Sequence, residues 1–477
     1  MVLFMTNTLL QKNWPWLVGA GLIVLWLLST AVEYDPPVGD PRPLGGEADI
    51  LQLAERDDLN VMFVLVDTLR ADRLGTYGYE RNTSPGIDSF ASKGVRFDRH
   101  LSQSSWTKCS MASLWTGFYP TRTGVTRYDH IVPEDAVMPA ERLRDAGFHT
   151  IGLWRNGWVA PTFGFEQGFD VYTRPAQSRL NVSAQARNPT ISNAGTDQDA
   201  VAAAIEFLRL SGHDQRWFLY LHMMDIHEFL YDEESALFGG SHSDMYDNSI
   251  RWTDETLAIL FDYLAEFGLA ENTLVVVASD HGEAFRERGL EGHARAVYRE
   301  TTEVPFLLSF PFRLEPGLVI PTRSQNIDIW PTVFELIGLD LPVDVDGTSR
   351  VPEILAAVAG ETLPDSETIA VAFLDETWGQ QQASESRYRI AVSDGSYRYL
   401  RSPARGKDTE PFEELFDAEY DPNELENLAS NNSEIVERLR KVAEAQLEAE
   451  PVWGETPTRE IGELELNQLR ALGYAIP

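Results

Sequence analysis

The chain has 477 residues, with 74 Asp and Glu against 39 Lys and Arg, and a formal charge of −35 at pH 7. So acidic a surface repels polyanions and excludes a nucleic-acid partner, while a hydrophobic fraction of 43% excludes general disorder. The single cysteine, Cys109, excludes an intrachain disulfide and a cysteine-rich metal site.

Residues 14–32 (WPWLVGAGLIVLWLLSTAV) carry no charge and, at about 1.5 Å per residue, approach the length needed to cross a bilayer. Lys12 precedes the run and acidic, proline-rich sequence follows it. This favours a single-pass anchor in the cell membrane, with the rest of the chain outside the cytoplasm. The run is long for a signal peptide and no A-x-A cleavage site follows, so residues 1–33 read as an anchor more than a cleaved segment. A Pro- and acid-rich linker is expected over 34–56.

Folding begins near residue 57. The runs VMFVLVD (61–67), WFLYLHMMD (217–225) and TLVVVASD (273–280) read as strands covered on both faces. Each ends in a carboxylate: Asp67, Asp225 and Asp280. Helical patterns at 87–93, 140–146, 200–210 and 248–267 alternate with them, the last three closing at Gly147, Gly212 and Gly268. The alternation predicts an α/β fold with a doubly wound, mostly parallel sheet flanked by helices. In such sheets ligands bind at the carboxyl ends of strands, so the three aspartates are expected to converge. VPFLLSFP makes a further strand and 326–339 a helix stopped by Gly338. The main domain is placed at 57–345. A small antiparallel C-terminal subdomain is expected over 346–432, from TIAVAFLD, RYRIAVSD and YRYLRS, and an acidic helical tail over 433–477.

Residues 103–124 (QSSWTKCSMASLWTGFYPTRTG) form a hydroxyl-rich turn opening into a short helix that Gly117 closes. The free N–H groups of a helix start suit an anion beside residues 105–107; an ordinary capped helix explains the same letters. The other candidate groups are Asp67, Asp280 with His281, Asp225 with His227, and His293. Carboxylates with neutral imidazoles suit a divalent cation: Mg, Ca or Mn on oxygen, Zn once histidine joins.

From residue 60 to about 339 the chain resembles the catalytic domain of the sulfatase family, within the alkaline phosphatase superfamily. The resemblance rests on VLVDTLRADRLGTYGY, S-x-A-S-L-x-T-G-x-Y-P at 110–120, FGFEQGFDVY, ASDHGEAF, VYRETTEVPF and NIDIWPT, with ELFDAEYDPNELENLA and LRALGY nearer the C-terminus. It implies a metal-bound nucleophile and hydrolysis or transfer at sulfate or phosphate esters. The family's motif is Cys/Ser-x-Pro-x-Arg followed by Ala-Ser-Leu-x-Thr-Gly, and its second half stands here from Ala112 to Gly117. Counting back puts the nucleophile at Thr107, Cys109 at the Pro position and Met111 at the Arg position. Cys109 then reads as a buried small side chain.

A threonine cannot become the formylglycine of the family's sulfatases. For a Thr the wider superfamily implies phosphoryl chemistry, on phosphodiesters or phosphonates. By position the resemblance assigns a metal to Asp67, Thr107, Asp280 and His281, with Thr68 where a second acidic residue is usual. Asp225, His227 and His293 match either a second ion's ligands in two-metal members or substrate-binding groups in one-metal members. LWRNGW replaces the family's Gly-Lys-x-x-His, making Arg155 and Asn156 candidate substrate contacts. Lys108 is a candidate for the missing motif arginine, and His227 and His293 for catalytic groups. The expectation is an exported, membrane-anchored enzyme using one or two divalent ions (Mn, Zn, Ca or Mg). Its substrate would be a small-molecule, glycan- or lipid-linked phosphate ester. The alternatives are a sulfuric ester hydrolase without formylglycine and an inactive binding protein, against which the intact Asp67, Asp280 and His281 argue.

Overall fold

Strand β1 (Asn60–Val66) is apolar after its first residue and buried throughout, so both of its faces must be covered. The structure, a computed structural model, describes residues 40–176, 195–340, 343–361, 363, 368–380, 387–404 and 410–471. In chain order the further strands are β2 (Val95–Leu101), β3 (His149–Leu153), β4 (Val171–Thr173), β5 (Trp217–Met223), β6 (Thr273–Ala278), the short pair β7 (Ala284–Phe285) and β8 (Glu291–Gly292), β9 (Phe306–Ser309) and β10 (Leu318–Gln325). Eight of them form one sheet in the order β10-β2-β9-β6-β1-β5-β3-β4. Only β9 runs against its neighbours.

Side chains alternate along β1. Val61, Phe63 and Leu65 enter one core, and Met62, Val64 and Val66 the other. The helices that cover the second face are α2 (Pro85–Ala91), which follows a short α1 (Glu47–Gln52), and later α5 (Asp197–Ser211) and α6 (His242–Glu266). The first face is covered by α3 (Thr107–Thr116), α4 (Pro139–Asp145) and α7 (Ile329–Leu336). There Phe63 meets Trp115 edge-on at 5.7 Å and Trp330 at 5.4 Å, and the two tryptophans stack at 5.2 Å. The α/β architecture is the one the strand and helix alternation predicts.

The chain folds earlier than the expected linker allows. The compact unit starts at Arg42, Ile50 and Leu53 are buried, and Gly45 N–H donates to Arg313 C=O at 2.9 Å. Apolar residues spaced three apart on α1 and the turn after it supply the missing burial. After α8 (Val351–Val358) comes the small sheet, β11 (Ala370–Asp375), β12 (Tyr388–Ser393), β13 (Tyr397–Ser402) and β14 (Phe412–Asp417), antiparallel in that order. Helix α9 (Ser433–Leu447) packs on it: Val436, Leu439 and Ala443 share a core with Val371, Ile390, Val392 and Leu415. A boundary at 432 therefore separates a helix from the sheet that buries it. The predicted span at 14–32 lies outside the described residues; among those described, no helix is long and apolar enough to cross a membrane.

Candidate active site

The register of the central strands decides which carboxylates meet. Leu65 pairs with Ala278 on β6 and with His222 on β5. Two residues further on, Asp67 and Asp280 stand side by side in the same phase. Asp225 falls in the phase of Val66, whose partner is Met223, and so belongs to the opposite side of the sheet.

Asp67 is fully buried. Its Oδ2 accepts from Asn156 Nδ2 at 2.7 Å and lies 3.1 Å from His222 Nε2. Thr68 follows at φ 61, a left-handed conformation costing a threonine about 1–3 kcal/mol. That turn aims its N–H at Asp280 Oδ1, 3.3 Å away, while its hydroxyl bends back to Asp67 C=O at 2.6 Å. His281 donates from Nδ1 to Gly282 C=O at 3.0 Å, which leaves the Nε2 lone pair facing the carboxylates. Nε2 is 3.3 Å from Asp280 Oδ2 and 3.9 Å from Asp67 Oδ1.

These two oxygens have no hydrogen-bond partner among the described residues, although an unsatisfied buried carboxylate oxygen is costly. Asp67, Asp280 and His281 each bring one ligand atom within 4.8 Å of the others. Two orphaned acceptors and one imidazole nitrogen form a donor set that fits a divalent cation. The carboxyls also polarise each other. Burial and then the Asp67 charge push Asp280 up to about 7. Burial likewise opposes ionisation of Asp67, but the hydrogen bond from His222 and the neighbouring imidazoles hold it below the usual carboxylate range.

Thr107 is the first residue of α3, the helix that Gly117 closes as expected, and there is no side-chain cap at Trp106. Its Oγ1 lies 3.1 Å from His281 Nε2, and Asn156 Nδ2 donates to it at 3.3 Å. Ser110 anchors the next turn by donating to Asp280 C=O at 2.6 Å. Cys109 is buried, and burial pushes its thiol up to about 12.

The β7–β8 pair folds the loop back so that His293 Nδ1 sits 2.9 Å from Glu283 Oε2. The His293 ring is 4.6 Å from that of His281 and 4.9 Å from that of His227. Burial lowers His227 and His293 to about 4 and raises Glu283 to about 7, so both imidazoles are neutral at pH 7.

Three other predicted residues have different surroundings. Asp225 is 2.6 Å from Arg155 Nη1 and accepts from Asp197 N–H at 3.0 Å and Trp252 Nε1 at 2.8 Å. Arg155 is closed in by Asp225 and Asp197 and is 1% exposed. Lys108 donates to the carbonyls of Tyr128 and His130, and its amine lies 3.8 Å over the Phe163 ring; burial drives its pKa well below the usual value. Sequence reasoning overlooked His222, Tyr220 and Glu283. His222 had one signal: a lone imidazole in the otherwise apolar WFLYLHMMD.

The family model described as Sulfatase matches residues 59–339, and one described as N-sulphoglucosamine sulphohydrolase, C-terminal, matches 292–449. The chain is 24% identical over 409 residues to the steryl-sulfatase of Rattus norvegicus, covering 63% of this chain and 70% of that protein. It is 25% identical over 325 residues to the ulvan-active sulfatase of Formosa agariphila, covering 60% and 63%. It thus spans about two thirds of the length of these two relatives. Its fold is like that of the phosphonate monoester hydrolase of Agrobacterium radiobacter, with a TM-score of 0.63 at 18% identity over 81% of this chain and 95% of that one. With most of the large-sheet region matched by one family model and a strand-end Asp, Asp, His group at its centre, the chain belongs to the sulfatase family.

Proposed function

We propose that this chain is a divalent-metal-dependent hydrolase or transferase that attacks a phosphate-type ester, a phosphodiester or a phosphonate, through the Thr107 hydroxyl. The observation that carries this is the position of Thr107 Oγ1, 3.1 Å from the His281 nitrogen that closes the Asp67–Asp280 donor group. Asp67, Asp280 and His281 would hold the ion, with Thr107 alongside. A divalent cation there supplies positive charge that favours a deprotonated oxygen nucleophile at neutral pH.

The remaining work falls to the chain. Asn156 orients the Thr107 hydroxyl from one side while also holding Asp67. The start of α3 offers backbone N–H groups and the positive end of its dipole to the ester's developing charge. His293, oriented by Glu283, and His227 are neutral bases suited to accept a proton from the water that releases a Thr107-bound group. The apolar run at 14–32 supports a membrane-anchored enzyme acting outside the cytoplasm, on small-molecule, glycan- or lipid-linked esters. A sulfate ester is the second reading, favoured by the names of the curated relatives.

The test is turnover by the detergent-purified full chain of aryl phosphodiester, phosphonate monoester and aryl sulfate with Mn, Zn, Ca or Mg. Phosphodiester or phosphonate turnover that EDTA abolishes and Thr107→Ala lowers by about 10³-fold or more is expected. Turnover of the sulfate alone, or full activity in Thr107→Ala, overturns the proposal.

A further inference from the structure

A cavity of about 280 Å³ lies against β2, β10 and β13 and contains none of the Asp67, Asp280 and His281 group; four arginines line it, Arg99, Arg299, Arg323 and Arg398. Six carboxylates share that lining, Asp72, Asp98, Glu303, Glu419, Asp421 and Glu424, so what matters is which arginines they pair with. Two are engaged: Arg398 Nε is 2.8 Å from Glu424 Oε1, and Arg299 Nη2 donates to Glu303 Oε1 at 3.0 Å.

The other two are not. Arg99 and Arg323 make no ion pair among the described residues, and both reach for one acceptor, Gly395 C=O in the turn before β13, at 3.5 and 3.2 Å. Arg323 is 6% exposed and its Nε has no hydrogen-bond partner. The remaining acids of the lining do not pair with them: Asp72 pairs with Arg70 at 2.7 Å, Asp98 with Arg96 at 3.0 Å, Asp421 caps Leu425 and Glu426, and Glu419 is exposed and makes no ion pair among the described residues.

The backbone puts these two charges together. β10 and β2 are parallel, and the register shift between Ile320 and Arg323 sets Arg323 directly opposite Arg99. Like charges paired across strands are destabilising, and a buried guanidinium without a counter-ion is more so. Burial and the nearby Arg398 pull Arg323 down to about 10, which still leaves it charged at pH 7. A bound anion removes both penalties. Guanidinium forks match the oxygen spacing of phosphate and sulfate.

We propose that Arg99 and Arg323, with Gly395 and Arg398 at their side, form an oxyanion site for a phosphate or sulfate group, separate from the Thr107 centre. Its occupant is either the free ion or an anionic substituent of a larger ligand. The test titrates inorganic phosphate and sulfate into the EDTA-stripped full chain by calorimetry at constant ionic strength, with chloride as control. Saturable binding is expected, unchanged in Thr107→Ala and weakened at least tenfold in Arg323→Gln and in Arg99→Gln. Without phosphate, Arg323→Gln is expected to melt no lower than the wild type, because a buried unpaired charge has been removed; this separates lost binding from lost folding. Tighter binding of a sulfated oligosaccharide or a phosphodiester than of the inorganic ion assigns the site to a larger ligand, and equal binding assigns it to the free ion. No saturable binding in the stripped wild type, or equal affinity in the wild type and both Gln variants, overturns the proposal.

Discussion

His222 shows how much one side chain can do without touching a substrate. Ionised, Asp67 can only accept, so the 3.1 Å contact is Nε2–H to carboxylate, and Nδ1 then accepts from the Tyr220 hydroxyl at 2.7 Å. The Tyr220–His222–Asp67 chain fixes the carboxylate that the proposed metal needs. His222→Ala is expected to weaken Mn binding about 10–100-fold, measured by titration calorimetry, with an unchanged far-UV spectrum. Asp254 makes a different prediction. It is 1% exposed, it accepts from Gly86 N–H at 2.9 Å and Ile87 N–H at 2.7 Å, and burial pushes it up to about 6 from an ordinary 3.8. A carboxyl whose folded value exceeds its unfolded one favours the folded state fully below about pH 4, and that advantage is lost as the pH rises through about 6. Asp254→Asn should therefore gain up to about 3 kcal/mol relative to the wild type between pH 4 and pH 7.5. Urea midpoints at the two pH values check this, and a pH-independent difference contradicts it.

Among elements, α3 carries the site and depends on the small sheet as well as the large one. Trp106, just before Thr107, stacks on Trp378 at 4.5 Å, and the Trp378 indole N–H donates to Ala294 C=O at 3.3 Å. Ala294 N–H in turn donates to Ser105 C=O at 2.7 Å, and Phe373 N–H to Gln103 C=O at 2.8 Å. Trp378→Ala is expected to cost about 3–5 kcal/mol and to lower kcat about 10–100-fold through misplacement of Thr107, read from thermal melts and initial rates. Strands with an unbroken apolar run, such as β1, β5 and β6, were legible within two residues. β10, LVIPTRSQ, was not, because an edge strand tolerates Pro321 and polar side chains that mask the pattern.

At the scale of the molecule, two cores face the two sides of one sheet and a third joins α9 to the small sheet. All of this is held under a net charge of −35. Self-repulsion on that scale opposes the compact state and is screened by salt. Raising NaCl from 20 to about 500 mM is expected to raise Tm by a few degrees in scanning calorimetry. A fall in Tm would mean that specific surface ion pairs outweigh the net repulsion.

The sequence by itself determined the α/β class, the strands that end at Asp67 and Asp280, and the motif count that leads from Ala112–Gly117 back to Thr107. The first two are local properties of run length and period; the motif count comes from the resemblance to the family and makes Thr107 the proposed nucleophile. Which groups meet was decided only by tertiary structure. Strand register put His222 beside Asp67 and sent Asp225 to Arg155, because residues one position apart on a strand face opposite sides of the sheet. A register shift in β10, silent in the sequence, likewise set Arg323 against Arg99.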